Sequence, residues 1–355
     1  MFTILTINPG STSTKIGVFQ EENQIFEETI RHSAEEIGSY KKIIDQLDFR
    51  KELILKVLEE NNFSPASFSC IVGRGGLLKP IPSGTYEVNE RIIEDLKAET
   101  RGQHASNLGG IIAREIAVTQ GIPAFIVDPV VVDEMQDVAK ISGLPEIERE
   151  SIFHALNQKA VARRYANENS KKYEDLNLIV VHLGGGVSIG SHRNGKVVDV
   201  NNVLDGEGPF SPERSGGLPA YAVAELCHKG NYSLADLRKR IAGNGGIVAY
   251  LNTNDFRDVE KLVSEGNEKA KLIKEAFIYQ IGKEIGSAAA VLHGNVDAII
   301  ITGGIAYSKS VTGKISEMVS FVAPITVYPG EDELLALAQG GLRVLSGKEK
   351  AREYI

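Results

Sequence analysis

Two segments of this 355-residue chain follow the same plan nearly half a chain apart, and this repetition constrains the fold more than any other feature. The first reads FTILTIN, a Pro-Gly-Ser turn, TSTKIGVFQ, a Glu-Glu-Asn turn and QIFEETI. The second reads LIVVHLG, a Gly-Gly turn, VSIGSHR, the turn Asn194-Gly195 and KVVDVNN. Asn-Gly between β-rich runs is a strong hairpin signal because both turn positions favour positive φ. Each segment predicts a three-stranded antiparallel meander, and the pair indicates a duplicated fold.

Amphipathic stretches lie between the two meanders and after the second one. Apolar residues at helical spacing predict helices over residues 42–61, 90–118, 151–166 and 268–293, and the strand VDAIIITGG follows the last of them. Alternation of strands and helices after a meander favours α/β layers. A chain of this length exceeds what one hydrophobic core usually supports. We therefore expect an α/β protein of two domains that meet across a cleft.

The charge balance limits the partners of the chain. A formal net charge of −8 disfavours nucleic acid and anionic membrane, which select for concentrated Lys and Arg. The N-terminus lacks a basic region followed by a long apolar run, and no segment reaches about 18 uninterrupted apolar residues. Cys70 and Cys227 fit neither a disulfide framework nor a metal-type C-x-x-C, so we expect both to be buried. These features indicate a cytoplasmic enzyme that acts on small molecules.

The first turn, INPGSTSTKIG at residues 7–17, places four small hydroxyl residues and a lysine between two strands. A P-loop needs a second glycine before the lysine and a helix after it, whereas here Thr14 precedes Lys15 and a strand follows. The second turn, Gly184-Gly185-Gly186, lacks the Rossmann spacing. Two interpretations are left: a turn whose N–H and hydroxyl groups face phosphate oxygens, or a solvated hairpin turn. A third cluster, Thr302-Gly303-Gly304 at a strand end, favours two phosphate loops and a nucleoside loop.

Further motifs extend this pattern along the chain, and together they resemble one family. They are INPGSTSTKIGVF, IVGRGG at 71–76, VDPVVVDEM at 127–135, VVHLGGGVSIG at 180–190, DGEGPFSPERSGGLP at 205–219, NDFRDVEKL at 254–262 and IIITGGI. In this order they resemble the acetate and propionate kinase (acetokinase) family of the sugar kinase, heat-shock and actin superfamily, and within it the butyrate kinases. The resemblance implies two duplicated actin-like (ribonuclease H-like) domains flanking an active-site cleft. Their expected bounds are 1–130 plus about 330–355 for an acid- and phosphate-binding domain, and 131–329 for a nucleotide-binding domain.

The resemblance also implies a reaction. ATP and butyrate, or a branched short-chain acid, would give ADP and an acyl phosphate reversibly by in-line phosphoryl transfer, with Mg²⁺ as cofactor. The alternatives within the superfamily are an acetate or propionate kinase and a sugar kinase, and the alternative of another class is a nucleotide-binding regulator or chaperone-like ATPase. The family's habit of forming dimers implies a homo-oligomer.

Residue roles are implied at the positions that match the family's motifs. The catalytic set is Arg214, His154 and Asp128, and Arg74 would bind the substrate carboxylate. The nucleotide and phosphate set is Ser11, Thr12, Thr14, Lys15, His182, Gly184, Gly185, Gly186, Asp255, Phe256, Arg257, Gly303, Gly304, Ile305 and Ala306, and the metal set is Asn8, Asp332 and Glu331, with Glu333 as their neighbour. Two departures stand out: the family's F-H-G-T-S-H reads FHALNQ here, and its Gly-Glu-Asn reads Ala306-Tyr307-Ser308.

The chemistry of the substrate bears on the role of Asp128. A short fatty acid has a pKa of about 4–5, so at pH 7 it is ionised and needs no general base. A sugar hydroxyl would need one. With an acid as the acceptor, we expect Asp128 to act toward Mg²⁺ through water, or in positioning. The forked cations of Arg214 and Arg74 suit a phosphoryl group and a planar carboxylate respectively.

Overall fold

The computed structural model describes residues 1–230 and 232–355. These residues divide into two compact α/β units. The first unit comprises Met1–Val132, Ala155–Asn157 and Asp332–Ile355, and the second comprises Asp133–His154 and Gln158–Glu331. None of the helices in the described ranges has the length and apolar content needed to span a bilayer.

Two mixed sheets form the centres of the units. The strands are β1 (Thr3–Pro9), β2 (Ser13–Gln20), β3 (Asn23–Arg31), β4 (Cys70–Arg74), β5 (Thr85–Glu87), β6 (Ala124–Val127), β7 (Asn177–Leu183), β8 (Val187–Arg193), β9 (Lys196–Val200), β10 (Ala298–Gly303) and β11 (Ile325–Pro329). The first sheet has the order β3-β2-β1-β4-β6-β5, and the second has the order β11-β10-β7-β8-β9. Strands β1 to β3 and β7 to β9 are antiparallel meanders, which confirms both predicted meanders.

Thirteen α-helices surround the sheets in the described chain. They are α1 (Ala34–Gly38), α2 (Leu47–Glu60), α3 (Glu90–Ala98), α4 (Asn107–Gln120), α5 (Asp137–Lys140), α6 (Ala155–Glu168), α7 (Ala220–Lys229), α8 (Leu234–Ile241), α9 (Ile247–Leu251), α10 (Phe256–Ser264), α11 (Glu268–Val291), α12 (Lys309–Val319) and α13 (Glu333–Leu345). The predicted helices over 42–61, 151–166 and 268–293 correspond to α2, α6 and α11. The prediction of one helix over 90–118 is wrong, because Glu99 ends α3 in the left-handed conformation (φ 51°) and α4 begins only at Asn107.

The two sheets share one connectivity. In each, the strand that opens the meander pairs in parallel with a later strand, and that strand pairs in parallel with the next, giving β3-β2-β1-β4-β6 and β9-β8-β7-β10-β11. Strand β5 adds an antiparallel edge to the first sheet alone. The predicted turn at Asn194-Gly195 is confirmed, with φ of 53° and 76°. This repetition confirms the duplicated α/β fold and gives the β1–β2 and β7–β8 turns equivalent positions.

Helices pack on both faces of each sheet. In the first unit a Cβ on Gly73 of β4 would lie 2.1 Å from the carbonyl oxygen of Gly109, so α4 approaches the strand backbone directly. Gly341 of helix α13 packs against Cys70 and Val72. Side chains alternate between the faces of a strand, so these two residues lie on the face opposite Gly73, and α13 and α4 cover opposite faces of the sheet.

In the second unit the sheet likewise has two apolar faces. Ile179 and Val181 of β7 pack with α11 and α12, and Leu178 and Val180 pack with α6. The expectation that both cysteines are buried is right for Cys70 and wrong for Cys227, which is exposed on α7.

Candidate active site

The β1–β2 turn of the first unit presents hydroxyl residues at the surface. Ser11 and Thr12 are exposed, whereas Thr14 is fully buried and its Oγ1 lies 2.9 Å from His32 Nε2. Lys15 is about half exposed and its Nζ lies 3.5 Å from Glu27 Oε1. Of the four residues predicted for this loop, Ser11 and Thr12 are therefore accessible to solvent, and the Thr14 hydroxyl is hydrogen-bonded within the protein.

Arg50, which the sequence analysis did not single out, lies beneath this turn. Its Nη1 donates to the carbonyl oxygen of Gly10 at 2.8 Å, and its Nη2 donates to that of Ser11 at 3.1 Å. A signal was present, because Arg50 shares the buried face of α2 with Ile54 and Leu58 at four-residue spacing. An arginine at a buried helix position requires polar partners in the protein interior, because its charge is removed from water.

Arg74, at the end of β4, joins two residues from the predicted metal segments. Its Nη1 donates to Asn8 Oδ1 at 3.1 Å and to Glu333 Oε2 at 2.7 Å, and Asn8 Nδ2 donates to the same carboxylate oxygen at 2.6 Å. The Nε and Nη2 groups of Arg74 donate to no other residue in the described chain. One edge of the fork is therefore committed to the protein, and the other has the two parallel donors that a carboxylate accepts.

Asp128 follows β6 with φ of 38°, a conformation that non-glycine residues rarely adopt, and it is 1% exposed. Its Oδ1 accepts hydrogen bonds from Ser83 Oγ at 2.6 Å and from the Gly84 N–H at 2.8 Å. These contacts anchor the segment that leads into β5. Strain of this kind at a buried polar residue is typical of functional sites.

In the second unit, Arg214 lies on the glycine turn between β7 and β8. Gly185 anchors the arginine loop, since its carbonyl oxygen accepts from Ser211 Oγ at 2.7 Å and from the Glu213 N–H at 3.3 Å. Nη1 of Arg214 is buried and has no hydrogen-bond partner among the described residues. Burial lowers the pKa of this guanidinium, and the neighbouring Glu213 partly opposes the shift. A buried donor without a partner is rare and points to a missing acceptor.

His154 and His182 stack beside the same turn. Their ring centroids lie 3.8 Å apart with an interplanar angle of 11°. His154 Nδ1 lies 2.8 Å from Ser188 Oγ, and Gln158 Nε2 donates a hydrogen bond to the same oxygen at 2.8 Å. Sequence reasoning identified both histidines but missed Ser188 and Gln158, although Gln158 lies in the segment that departs from the family's motif.

A pocket of about 700 Å³ opens next to the glycine turn in the second unit. Its lining includes Gly184, Gly185, Asp255, Phe256, Arg257, Gly304 and Ile305 from the predicted nucleotide set, together with Pro212, Asn254, Glu260, Tyr307, Ser308 and Glu331. Gly303 and Ala306 are not in the lining: Gly303 packs against Leu183, and Ala306 is 3% exposed. Seven residues predicted to bind nucleotide thus line the same pocket within the second unit.

Two of these side chains pair with each other. Arg257 Nη2 lies 2.5 Å from Asp255 Oδ2, and this hydrogen bond lowers the pKa of Asp255. Asp255 also caps α10 by accepting from the Arg257 N–H. Glu260 is bonded to Ser308 Oγ at 2.6 Å and to Lys274 Nζ at 3.0 Å, so the Tyr307-Ser308 segment is tied to α10.

The predicted metal residues are placed differently from one another. Glu333, rather than Asp332, contacts Asn8. Asp332 has φ of 42° and precedes α13, and Glu331 in the second unit lies 3.5 Å from His182 Nε2. Among the described residues no three His, Cys, Asp or Glu side chains are grouped as a metal site. Asn8 Oδ1 and Glu333 Oε2 nevertheless converge on a cationic nitrogen, so their chemistry suits a hard cation that takes few protein oxygens.

Two matched α/β units with small-residue turns at equivalent positions form a duplicated α/β fold, and similarity to known proteins identifies the class as phosphotransferases that act on a carboxylate. The acetokinase family model matches residues 146–324. The chain is 61% identical over 354 residues to butyrate kinase 1 of Clostridium acetobutylicum, covering 100% of both chains, and 61% identical over 353 residues to butyrate kinase 2 of that organism, covering 99% of each. The chain belongs to the acetokinase family.

Solved structures support the same fold. The crystal structure of Porphyromonas gingivalis acetate kinase matches with a TM-score of 0.81 at 20% identity, over 97% of this chain and 100% of that one. At this identity the match bears on architecture alone, and it agrees with the duplicated α/β fold expected from the sequence.

Proposed function

We propose that this protein is a short-chain carboxylate kinase that transfers the γ-phosphoryl group of ATP reversibly to the carboxylate of a butyrate-sized acid. The observation that carries the proposal is the identity of 61% over the full chain with two proteins named butyrate kinases. The products are ADP and an acyl phosphate. Because a carboxylate is already ionised at pH 7, transfer needs positioning and charge neutralisation rather than a general base.

The acid is proposed to bind through Arg74. Support comes from its Nε and Nη2 groups, which face no protein acceptor in the described residues while Nη1 is fixed by Asn8 and Glu333. A guanidinium held by one nitrogen is pre-oriented, so less rotamer entropy is lost when a substrate pairs with it. We assign acid and phosphate binding to the first unit on this basis, with Ser11, Thr12 and Lys15 at its turn.

The nucleotide is proposed to bind in the 700 Å³ pocket of the second unit. Its glycine turn and strand-end glycines allow close approach of phosphates to the backbone. Arg214 is proposed to neutralise charge on the transferring phosphoryl group, because its buried Nη1 has no partner among the described residues. His154, held by Ser188, is proposed to donate a hydrogen bond to the same group, and Asp128 is assigned a positioning role in the first unit.

Mg²⁺ is proposed as the cofactor, with Asn8 and Glu333 as the residues that would hold it or its waters. We propose Glu333 in place of Asp332 and Glu331 because its carboxylate contacts Asn8 at 2.6 Å. When bound, Mg²⁺ would neutralise phosphate charge. Without Mg²⁺, Arg74 Nη1 donates to these two oxygens and compensates the charge of the Glu333 carboxylate.

We also propose a homo-oligomer in the cytoplasm, where ATP is supplied. Support for self-association comes from α7 and α8, in which no described residue is buried and Tyr221 and Leu234 are 82% and 83% exposed. Large apolar side chains exposed on helices without a buried face can be covered by a second subunit. Light scattering during gel filtration tests this, with Tyr221→Asp/Leu234→Asp expected to lower the mass.

Trapping acyl phosphate with hydroxylamine tests the reaction. Acetate, propionate, butyrate, isobutyrate and glucose are compared by kcat/KM, with the highest value expected for butyrate or isobutyrate. Arg214→Ala should reduce kcat by about 10³-fold with ATP binding retained. Arg91→Ala, at an exposed arginine of α3, is the matched control. ATP turnover that ignores added acids, or that requires glucose, would contradict the proposal.

A further inference from the structure

Arg50 is a buried cation without a carboxylate partner. It is 1% exposed, and it forms no ion pair within 4.0 Å with an Asp or Glu among the described residues. Burial lowers the pKa of the guanidinium, but an arginine stays charged at neutral pH. Buried charges are normally paired with an opposite charge because removing them from water costs free energy. An unpaired one therefore indicates a function that needs its charge.

The guanidinium donates to carbonyl oxygens of the β1–β2 turn and to two neutral side chains. Its acceptors are Gly10 O at 2.8 Å, Ser13 O, Thr14 Oγ1 and Ser11 O at 3.1 Å each, and Gln46 Oε1 at 2.8 and 3.0 Å. The carbonyl oxygen of Thr12 accepts from the His32 N–H at 2.9 Å. Every carbonyl of residues 10–13 is therefore held by a donor of the protein.

This arrangement fixes where the turn's N–H groups point. In a planar trans peptide the N–H of one residue is directed opposite to the carbonyl of the residue before it. Because Gly10 and Ser11 turn their carbonyls to Arg50, the N–H groups of Ser11 and Thr12 point away from it. Neither N–H donates to a protein group in the described chain, and both residues are exposed. Adjacent N–H groups aimed outward form an anion-binding concavity.

We infer that Arg50 is a positioning residue for phosphate binding: it orients the Ser11 and Thr12 N–H groups outward and places an uncompensated positive charge behind them. The inference rests on the proposed function in taking the anion to be the phosphoryl group of ATP or acyl phosphate. Gln46 is central to it, because an amide at this position satisfies Arg50 without cancelling its charge. A glutamate there would supply the same acceptor and remove the net charge.

Gln46→Glu therefore separates charge from geometry. We expect this variant to raise KM for butyryl phosphate in the ATP-forming direction about tenfold, equivalent to ~1.4 kcal/mol, with KM for butyrate within twofold of wild type and no loss of melting temperature. Gln120→Glu, on α4 of the same unit, adds the same charge elsewhere and should leave KM for butyryl phosphate unchanged. Equal effects of the two variants, or wild-type KM in Gln46→Glu, would overturn the inference.

Arg50→Ala removes both charge and fork. We expect a larger loss, partly restored by added guanidinium at concentrations that leave the wild type unaffected, which a role in folding alone would not produce. Binding of inorganic phosphate, followed by ³¹P NMR, gives a readout that does not depend on turnover. An inactive wild type refutes the proposed function, whereas phosphate affinity that is equal in wild type and Gln46→Glu refutes the role of Arg50.

Discussion

Gly186 and Arg214 are in backbone-to-side-chain contact: a Cβ built on Gly186 would lie 1.7 Å from Arg214 Nη1. A side chain at position 186 would overlap the Arg214 guanidinium, so this position of the turn requires glycine. The buried, unpartnered Nη1 is thereby held at the same turn whose other glycines line the pocket. The residue at position 186 consequently determines where the Arg214 guanidinium can lie.

Gly186→Ala should displace Arg214 without unfolding the unit. A misplacement of about 1 Å at a catalytic group costs on the order of 10²-fold in rate, so we expect kcat to fall by about 100-fold with KM for ATP nearly unchanged. Gly313→Ala in α12, where an added Cβ meets no atom within 4 Å, is the matched control. Steady-state kinetics that leave kcat of Gly186→Ala at the wild-type value would show that Arg214 does not act on the reacting group.

Arg74→Gln should weaken binding of the acid selectively. A hydrogen-bonded pair with a charged partner contributes roughly 2 kcal/mol, so KM for butyrate is expected to rise about 30-fold while KM for ATP changes little. Lys79→Gln, which alters a cation that is 64% exposed, serves as control. A rise in KM for ATP alone would assign Arg74 to the nucleotide instead.

Ser188→Ala should affect the orientation of His154. The hydroxyl is the group that holds His154 Nδ1 at 2.8 Å and is itself held by Gln158, and loss of an orienting hydrogen bond costs about 1 kcal/mol, or roughly fivefold. We expect kcat to fall by about that factor. Ser191→Ala offers a close comparison, because Ser191 is equally buried on β8 and bonds to Ala288 instead. Equal losses in both variants would indicate packing rather than orientation.

The sequence predicted the fold where local patterns are sufficient. Period-two alternation and the turn Asn194-Gly195 depend on near neighbours, so both meanders are as expected. The prediction of one helix over 90–118 is wrong for the complementary reason: Glu99 adopts a left-handed conformation that ends α3, and the polar residues 99–104 (ETRGQH) separate it from α4. The left-handed residue is a glutamate rather than a glycine, and the glycine signal of this segment, Gly102, lies three residues later.

The candidate site shows the same division. Arg214, Arg74 and the pocket glycines stand in motifs that can be read locally. Glu333 contacts Asn8 across 325 residues, and Arg50 reaches Gly10 across 40, so neither pairing has a local signal. The spacing of Arg50 with Ile54 predicts burial, but not the turn beneath which it lies.

Stability should fall in acid through His192. This side chain is fully buried, with Nδ1 2.6 Å from Tyr173 Oη and Nε2 2.9 Å from Gln158 Oε1, an arrangement that the neutral ring satisfies. Burial, and then the charges of Lys159 and Arg163, hold its pKa well below its usual value near 6.5. Since the unfolded chain binds the proton more readily, the stabilisation is present above about pH 6.5 and is lost as pH falls below it, by up to ~1.4 kcal/mol per pH unit. Thermal melts followed by circular dichroism between pH 7.5 and 5.5 should show this decline, and His192→Gln should flatten it.

The buried His32, whose pKa is also lowered by burial, contributes a separate component to the pH dependence. A stability profile that is unchanged in His192→Gln but flattened in His32→Gln would assign the effect to the first unit instead.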